Sequence, residues 1–219
     1  MLKITNLSKE FPVEKGIFTK SSLTVKAVQE VSFQIEKNEV LGLVGESGSG
    51  KSTLGKTIMK LLNPTKGQIV FDNEDITDYN SKQMIRIRKK LQMIFQDPFA
   101  SLNPRKNIFN TLAEPVKVHN LVNRNNLNDY ISDIINDVGL NVDSLSRYPH
   151  EFSGGQRQRI GIARSLVLKP QFIIADEPVS ALDVSIQAQI LNLLEKIRDL
   201  YNLTMIFISH DLSVIEYFS

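Results

Sequence analysis

Apolar residues along this chain follow two different periods. Leu2, Ile4 and Leu7 open one alternating segment, and Val25 to Ile35 alternates apolar and polar for much of its length. The first forty residues therefore read as strands, joined by a polar stretch with Pro12 and Gly16. Val40-Leu41-Gly42-Leu43-Val44 is continuously apolar, the pattern of a strand buried on both faces. A helix is expected from Lys51 to about Leu62, then a turn at Asn63 to Gly67 and a short strand, Gln68 to Phe71.

Between Asp97 and Pro149 the character changes. Pro98, Pro104, Pro115 and Pro149 punctuate helical patterns such as Ile131, Ile134, Ile135 and Val138. After Ser153 a helix to Leu168 is expected, then strands Phe172 to Ala175 and Thr204 to Ile208, with a helix between them. That helix carries Ile186, Ile190, Leu193, Leu194, Ile197 and Leu200 as one apolar stripe, read as core. The expected architecture is α/β: a P-loop NTPase core, mainly parallel with antiparallel strands at its start, plus an inserted helical subdomain. The core is assigned to 1–96 and 170–219 and the helical part to 97–169.

Composition narrows the classes. The 219 residues suffice for a sizeable core, and 42% hydrophobic with 23% charged is ordinary for a globular chain. A net charge of +2 is too small to argue for nucleic acid, which is not expected as a partner, and Arg86, Arg88, Lys89 and Lys90 read as a solvated helix face. With no cysteine there is neither disulfide nor thiolate metal site. The N-terminus lacks a signal-peptide pattern, and no apolar run is long enough to span a bilayer.

Gly45-Glu46-Ser47-Gly48-Ser49-Gly50-Lys51-Ser52 matches G-x-x-x-x-G-K-[ST], placed between an apolar strand and a helix. Its glycines allow backbone N–H groups to turn inward onto phosphate oxygens, and the helix adds its positive end. Lys51 is expected on the β and γ phosphates, Ser52 on Mg²⁺ and Thr53 on the α phosphate. Asp176 and Glu177 end an apolar strand, which aims carboxylates into the ligand crevice of a parallel sheet. Asp176 is expected to hold Mg²⁺, and Glu177 to orient the water that attacks the γ phosphate. Ser153-Gly154-Gly155-Gln156 is a capping box before an apolar helix. Capping does not require adjacent glycines, which leave the backbone open to a ligand, so both readings stand together.

Taken with Gln96, Ser180-Ala181-Leu182-Asp183 and His210, these motifs resemble the nucleotide-binding subunits of ABC transporters over essentially the whole chain. Longer strings, Gln92 to Arg105, Arg147 to Phe152 and Val179 to Ser185, resemble the oligopeptide/dipeptide importer branch. The resemblance implies a head-to-tail dimer of identical or different subunits, with two ATP molecules between them. Ser153, Gly154, Gly155 and Gln156 would then serve the partner's nucleotide. It implies that Gln96 ligates Mg²⁺ and that its loop meets the membrane permease. His210 would contact the γ phosphate, Asp183 the dimer seam, and Phe11 the adenine, with Phe18 second. Ser180 and Asp183 read equally well as a helix cap, while His119 and His150 receive no role.

The implied activity is ATP hydrolysis driving peptide uptake from the cytoplasmic face of the membrane, with a solute-binding protein as an indirect partner. A nickel or other small cargo, and a soluble ABC ATPase, are the alternatives. Family members continue beyond the counterpart of Ser219, some with cysteines for an iron–sulfur cluster, so the last part of the family domain is expected to be absent here.

Overall fold

The computed structural model describes residues 1–12, 24–97 and 101–218. Phe18 and Gly16, and the Pro98 to Ala100 part of the importer-like string, lie outside the described residues. Two four-stranded sheets organise the molecule. In the first, β1 (Leu2–Pro12) pairs antiparallel with β2 (Thr24–Ile35) on one side. On its other side runs β4 (Lys66–Phe71), extended by β5 (Glu74–Asp75), in the order β2-β1-β4-β5. The second sheet is all parallel: β3 (Val40–Val44), β8 (Thr204–Ser209), β7 (Phe172–Asp176) and β6 (Leu91–Ile94), in the order β3-β8-β7-β6.

Helix α1 (Lys51–Ile58) touches both sheets. Strand alternation decides what each face buries. Ile174, Ile206 and Ile208 join Leu54, Ile58, Ile4 and Phe71 in the cluster between the sheets. Ile173, Ala175, Met205 and Phe207 join a second cluster on the opposite face. That cluster holds α3 (Ile108–Val118), α4 (Leu127–Asp137), α5 (Gly154–Leu166), α6 (Val184–Tyr201) and α7 (Leu212–Phe218). The remaining helix, α2 (Ser81–Lys90), begins with a capping box between Asn80 and Gln83 and leads straight into β6. None of the helices among the described residues is long and apolar enough to cross a membrane.

Four details depart from the sequence reading. Strand β3 is half-buried to exposed rather than buried on both faces, because among the described residues it pairs only with β8 and forms an edge. An apolar run cannot distinguish an edge from an interior strand. Helix α1 ends at Ile58, where Lys60 turns left-handed (φ 55°) and its N–H bonds to the Thr57 carbonyl. Pro115 lies inside α3 instead of breaking it. Leu200, counted in the core stripe of α6, is 55% exposed at the end of that helix.

Candidate functional site

A parallel sheet places the carboxyl ends of all its strands on one edge. In register, Val44 is opposite Ser209, Asp176 opposite Ile208, and Ile94 opposite Ala175. Four segments are therefore gathered at that edge: the phosphate loop after β3, Gln96 after β6, Glu177 after β7 and His210 after β8.

The loop itself exposes Ser47, Gly48 and Ser49 to solvent, with Gly45, Gly50, Ser52 and Thr53 half-buried. Gly50 sits at φ 94°, where side chains are rarely tolerated, and a Cβ there would lie 2.0 Å from the Ala27 carbonyl oxygen of β2. Sheet one thus braces the loop from outside. Phe11 is half-buried and paired with Val25, two residues before Ala27 on β2. Lys9 lies 4.9 Å from the centre of the Phe11 ring.

Lys51 is folded back onto its own loop. Its Nζ donates to the carbonyls of Gly45 (2.6 Å) and Glu46 (2.7 Å) and approaches Ser49 Oγ at 3.5 Å. Next to it, Ser52 Oγ donates to Asp176 Oδ1 at 2.7 Å. Asp176 is 2% exposed, and burial pushes its carboxyl above the usual carboxylate range. The Ser52 bond and the ammonium groups of Lys56 and Lys51 oppose that rise, while the charge of Glu177 adds to it.

Glu177 carries a backbone conformation that glutamate seldom adopts, φ 46°. Three hydrogen bonds hold it there. Its N–H donates to the Ile208 carbonyl (3.0 Å), and its carbonyl accepts from the N–H (3.2 Å) and the hydroxyl (3.1 Å) of Ser180. Such strain at a strand end, over-determined by neighbours, is typical of a functional position. The side chain is aimed between two others: Gln96 Nε2 donates to Glu177 Oε2 at 3.3 Å, and His210 Nδ1 lies 3.2 Å from the same oxygen. Residues far apart in the chain, Lys51, Ser52, Gln96, Asp176, Glu177 and His210, are thereby drawn into one site.

The glycine-pair segment is not part of that gathering. Ser153 occupies the N-cap of α5, with the Gln156 N–H donating to Ser153 Oγ (3.4 Å) and the Ser153 N–H to Gln156 Oε1 (3.0 Å). A Cβ on Gly154 would meet Leu182 at 3.5 Å, and one on Gly155 would lie 2.6 Å from Ile186 Cγ2. Among the described residues, then, the segment contacts itself and the start of α6, not the phosphate loop of its own chain. Ser180 and Asp183 do not cap α6 through their side chains: Ser180 is turned back onto Glu177, and Asp183 stands at the N-cap position without a side-chain bond. Asp183 is exposed.

A groove of about 1000 Å³ opens beside Asp176 and Gln96 and runs past Phe95, Arg164 and Met59 towards Val118. Sequence reasoning missed two positioning features, the Ala27 carbonyl behind Gly50 and the Ser180 clamp on Glu177. Only the second has a signal in the sequence, as the serine of a motif whose spacing also suits a cap.

Residues 28–180 match the model of the family described as ABC transporter. The chain belongs to that family. Among relatives of this ABC chain, the oligopeptide transport ATP-binding protein AppF of Bacillus subtilis is 52% identical, covering 100% of this chain and 67% of its own length. The oligopeptide transport ATP-binding protein OppF of Streptococcus mutans is 57% identical, covering 100% and 70%. A solved dimeric ATP-binding cassette, in a post-hydrolysis state with ADP and Pi, superposes with a TM-score of 0.84 at 27% identity, covering 98% of this chain and 90% of that one. The fold is thus that of the ABC ATPase cassettes.

Proposed function

We propose that this chain is the ATP-hydrolysing subunit of an ABC importer for oligopeptides or dipeptides, held peripherally on the cytoplasmic face of the membrane by a permease. The observation that carries this reading is the convergence of Gln96 and His210 on Glu177, beside the Ser52–Asp176 pair and the lysine-bearing loop. The names of its relatives supply the cargo class.

ATP lies with its phosphates on the N–H groups of Gly45, Ser47, Gly48, Ser49 and Gly50, and with Thr53 on the α phosphate. Lys51 leaves the carbonyls of Gly45 and Glu46 for the β and γ phosphates, and Phe11 stacks on the adenine. A buried carboxylate paired with a hydroxyl is an oxygen donor set suited to a hard divalent cation. Ser52, Asp176 and the Gln96 amide oxygen would hold Mg²⁺, which neutralises charge on the β and γ phosphates. Glu177 orients the attacking water and accepts its proton. His210, on the same carboxylate oxygen, fixes the direction of that acceptor and reaches the γ phosphate.

Ser153, Gly154, Gly155 and Gln156 serve the nucleotide of a second ATP-binding subunit, with Asp183 at the seam. This accounts for their separation from their own loop. The same division makes 97–169 a helical subdomain that moves against the core of 1–96 and 170–219. Its groove, rimmed by the exposed apolar residues Leu61 and Val118, faces the permease. ATP favours the closed pair because only that state makes the signature contacts, and hydrolysis removes the preference.

Reconstitution with the cognate permease tests the proposal. Peptide uptake should require ATP and stop in Glu177→Gln, which still binds ATP. Uptake of nickel but not peptide would overturn the cargo. Unimpaired hydrolysis in the variant would overturn the role of Glu177.

A further inference from the structure

Gln96 is exposed, lies on the loop after β6, and among the described residues makes one side-chain hydrogen bond, the 3.3 Å donation to Glu177. One long bond from an exposed amide does little to fix its own geometry. The residues that bracket it are held more firmly, and by the same group. Arg164, in the last turn of α5, has its guanidinium carbon 5.7 Å from the centre of the Phe95 ring, and its Nη1 donates to the Ser101 carbonyl. A single planar cation therefore touches the chain on both sides of Gln96.

That guanidinium is half-buried, and burial lowers its pKa from the usual arginine value. A desolvated charge needs contacts that offset its cost, and these two go to the segment carrying Gln96. Phe95, Gln96, Ser101 and Arg164 line the same groove beside Asp176. On the division of the chain given above, the grip also sits where core and helical subdomain join. One crossing follows Gln96, and the other lies between 169 and 170, just past the end of α5. Atoms at a pivot are displaced least when the two parts move, so the contacts survive the movement.

We propose that Arg164 is a positioning residue for Gln96: it grips the segment before and after that glutamine and so holds the amide against Glu177. The inference rests on the hydrolytic reading above, in which Gln96 meets magnesium at the nucleotide. Arginine suits this position because one flat fork can lie on an aromatic face and still donate from its edge. Lysine, a point charge without a plane, can meet either partner but not both.

The test is a double-mutant cycle on the full chain: Arg164→Met, Gln96→Ala and the two together. Methionine keeps an apolar stem and leaves no buried charge unpaired. Calorimetry with and without magnesium, on the Glu177→Gln background so that ATP is not consumed, gives a readout besides turnover. Without magnesium, ATP affinity should stay within about twofold of the parent throughout, since the phosphate loop is untouched. Arg164→Met should lose about tenfold in turnover, the scale of a small misplacement near a reacting group. It should also lose part of the tightening that magnesium brings, with neither loss larger than in Gln96→Ala. The pair together should be no worse than Gln96→Ala alone, and Arg164→Lys should fall between Arg164→Met and the parent. Losses that add in the pair, or an Arg164→Met chain with parental turnover, overturn the proposal. Should Arg164→Met not fold, Arg164→Lys combined with Gln96→Ala decides by the same comparison. A Gln96→Ala chain with parental turnover and parental magnesium response gives a different result: the role of Gln96 in the hydrolytic reading falls, and the positioning with it.

Discussion

The two glycine-bearing segments of this chain begin helices of similar kind and are built on opposite terms. Around the phosphate loop, local stability is given up: Asp176 is a carboxylate deep in the protein, and Glu177 is held at φ 46°. At the signature, the standard devices of a helix start are all in place. Ser153 and Gln156 satisfy each other's backbone N–H groups, and Gly155 is packed. The first site is strained at Glu177 and held by its neighbours, whereas the second is a relaxed helix start capped by its own residues. The contrast suits a site whose chemistry is supplied on one side and whose other side only has to arrive in the right shape.

Substitutions sharpen that comparison, beginning with those that act on the strained side. Lys51→Ala removes the charge that would meet the β and γ phosphates and should lower ATP affinity by about a hundredfold or more, measured by calorimetry. Unchanged affinity would mean that the backbone alone binds the nucleotide. Glu177→Gln should lower turnover by about 10²–10⁴-fold in a steady-state phosphate assay while ATP affinity stays within a few-fold. On the relaxed side, Ser153→Ala loses a capping bond and should cost about 1 kcal/mol in urea unfolding with no loss of ATP affinity in the isolated chain. Weakened nucleotide binding there would erase the distinction between the two segments.

Smaller effects probe what joins the halves. The Tyr201 hydroxyl donates to Asp137 at 2.5 Å, tying α6 to α4, and both burial and that bond push the tyrosine up from its usual value. Tyr201→Phe should cost about 0.5–1.5 kcal/mol in the same unfolding measurement. Asp176→Asn should move the other way. Folding raises the pKa of Asp176, so its folded form binds a proton more tightly than its unfolded form. That carboxylate therefore weakens folding at neutral pH, and the penalty fades as pH falls through its titration towards the unfolded value. The variant should melt a few degrees above the parent at neutral pH and lose that advantage in acid. It should also fail to gain stability from magnesium and ATP.

Most of the nucleotide site was legible because topology does the assembling. Once Val40 to Val44, Phe172 to Ala175 and Thr204 to Ile208 are read as parallel strands, the residues just past each one must lie at a common edge. Gln96 and His210 are unremarkable as single residues. They acquire meaning from strand ends, and the structure puts both on one oxygen of Glu177. Tertiary contact stayed hidden. The exposure of β3 depends on which strands flank it, and a run of apolar residues carries no record of that. Pro115 is accommodated near the end of α3, although proline in a helix pattern ordinarily predicts a stop. The Gly155–Ile186 contact needs two helices to meet, so periodicity places Ile186 among ordinary core residues. The Ser180-to-Asp183 motif misleads in a different way. Its spacing suits a cap, but the serine is occupied by Glu177 and the aspartate faces solvent.

The posture of Lys51 has a consequence for energetics. Its ammonium group already holds two carbonyl oxygens, so an incoming triphosphate must compete with the loop for its own cation. Binding becomes an exchange of partners, and the net gain is the difference between two sets of contacts rather than the whole of one. Such a difference is modest and tunable. On the proposed site, a ligand that brings more phosphate charge to Lys51 should win that exchange more readily.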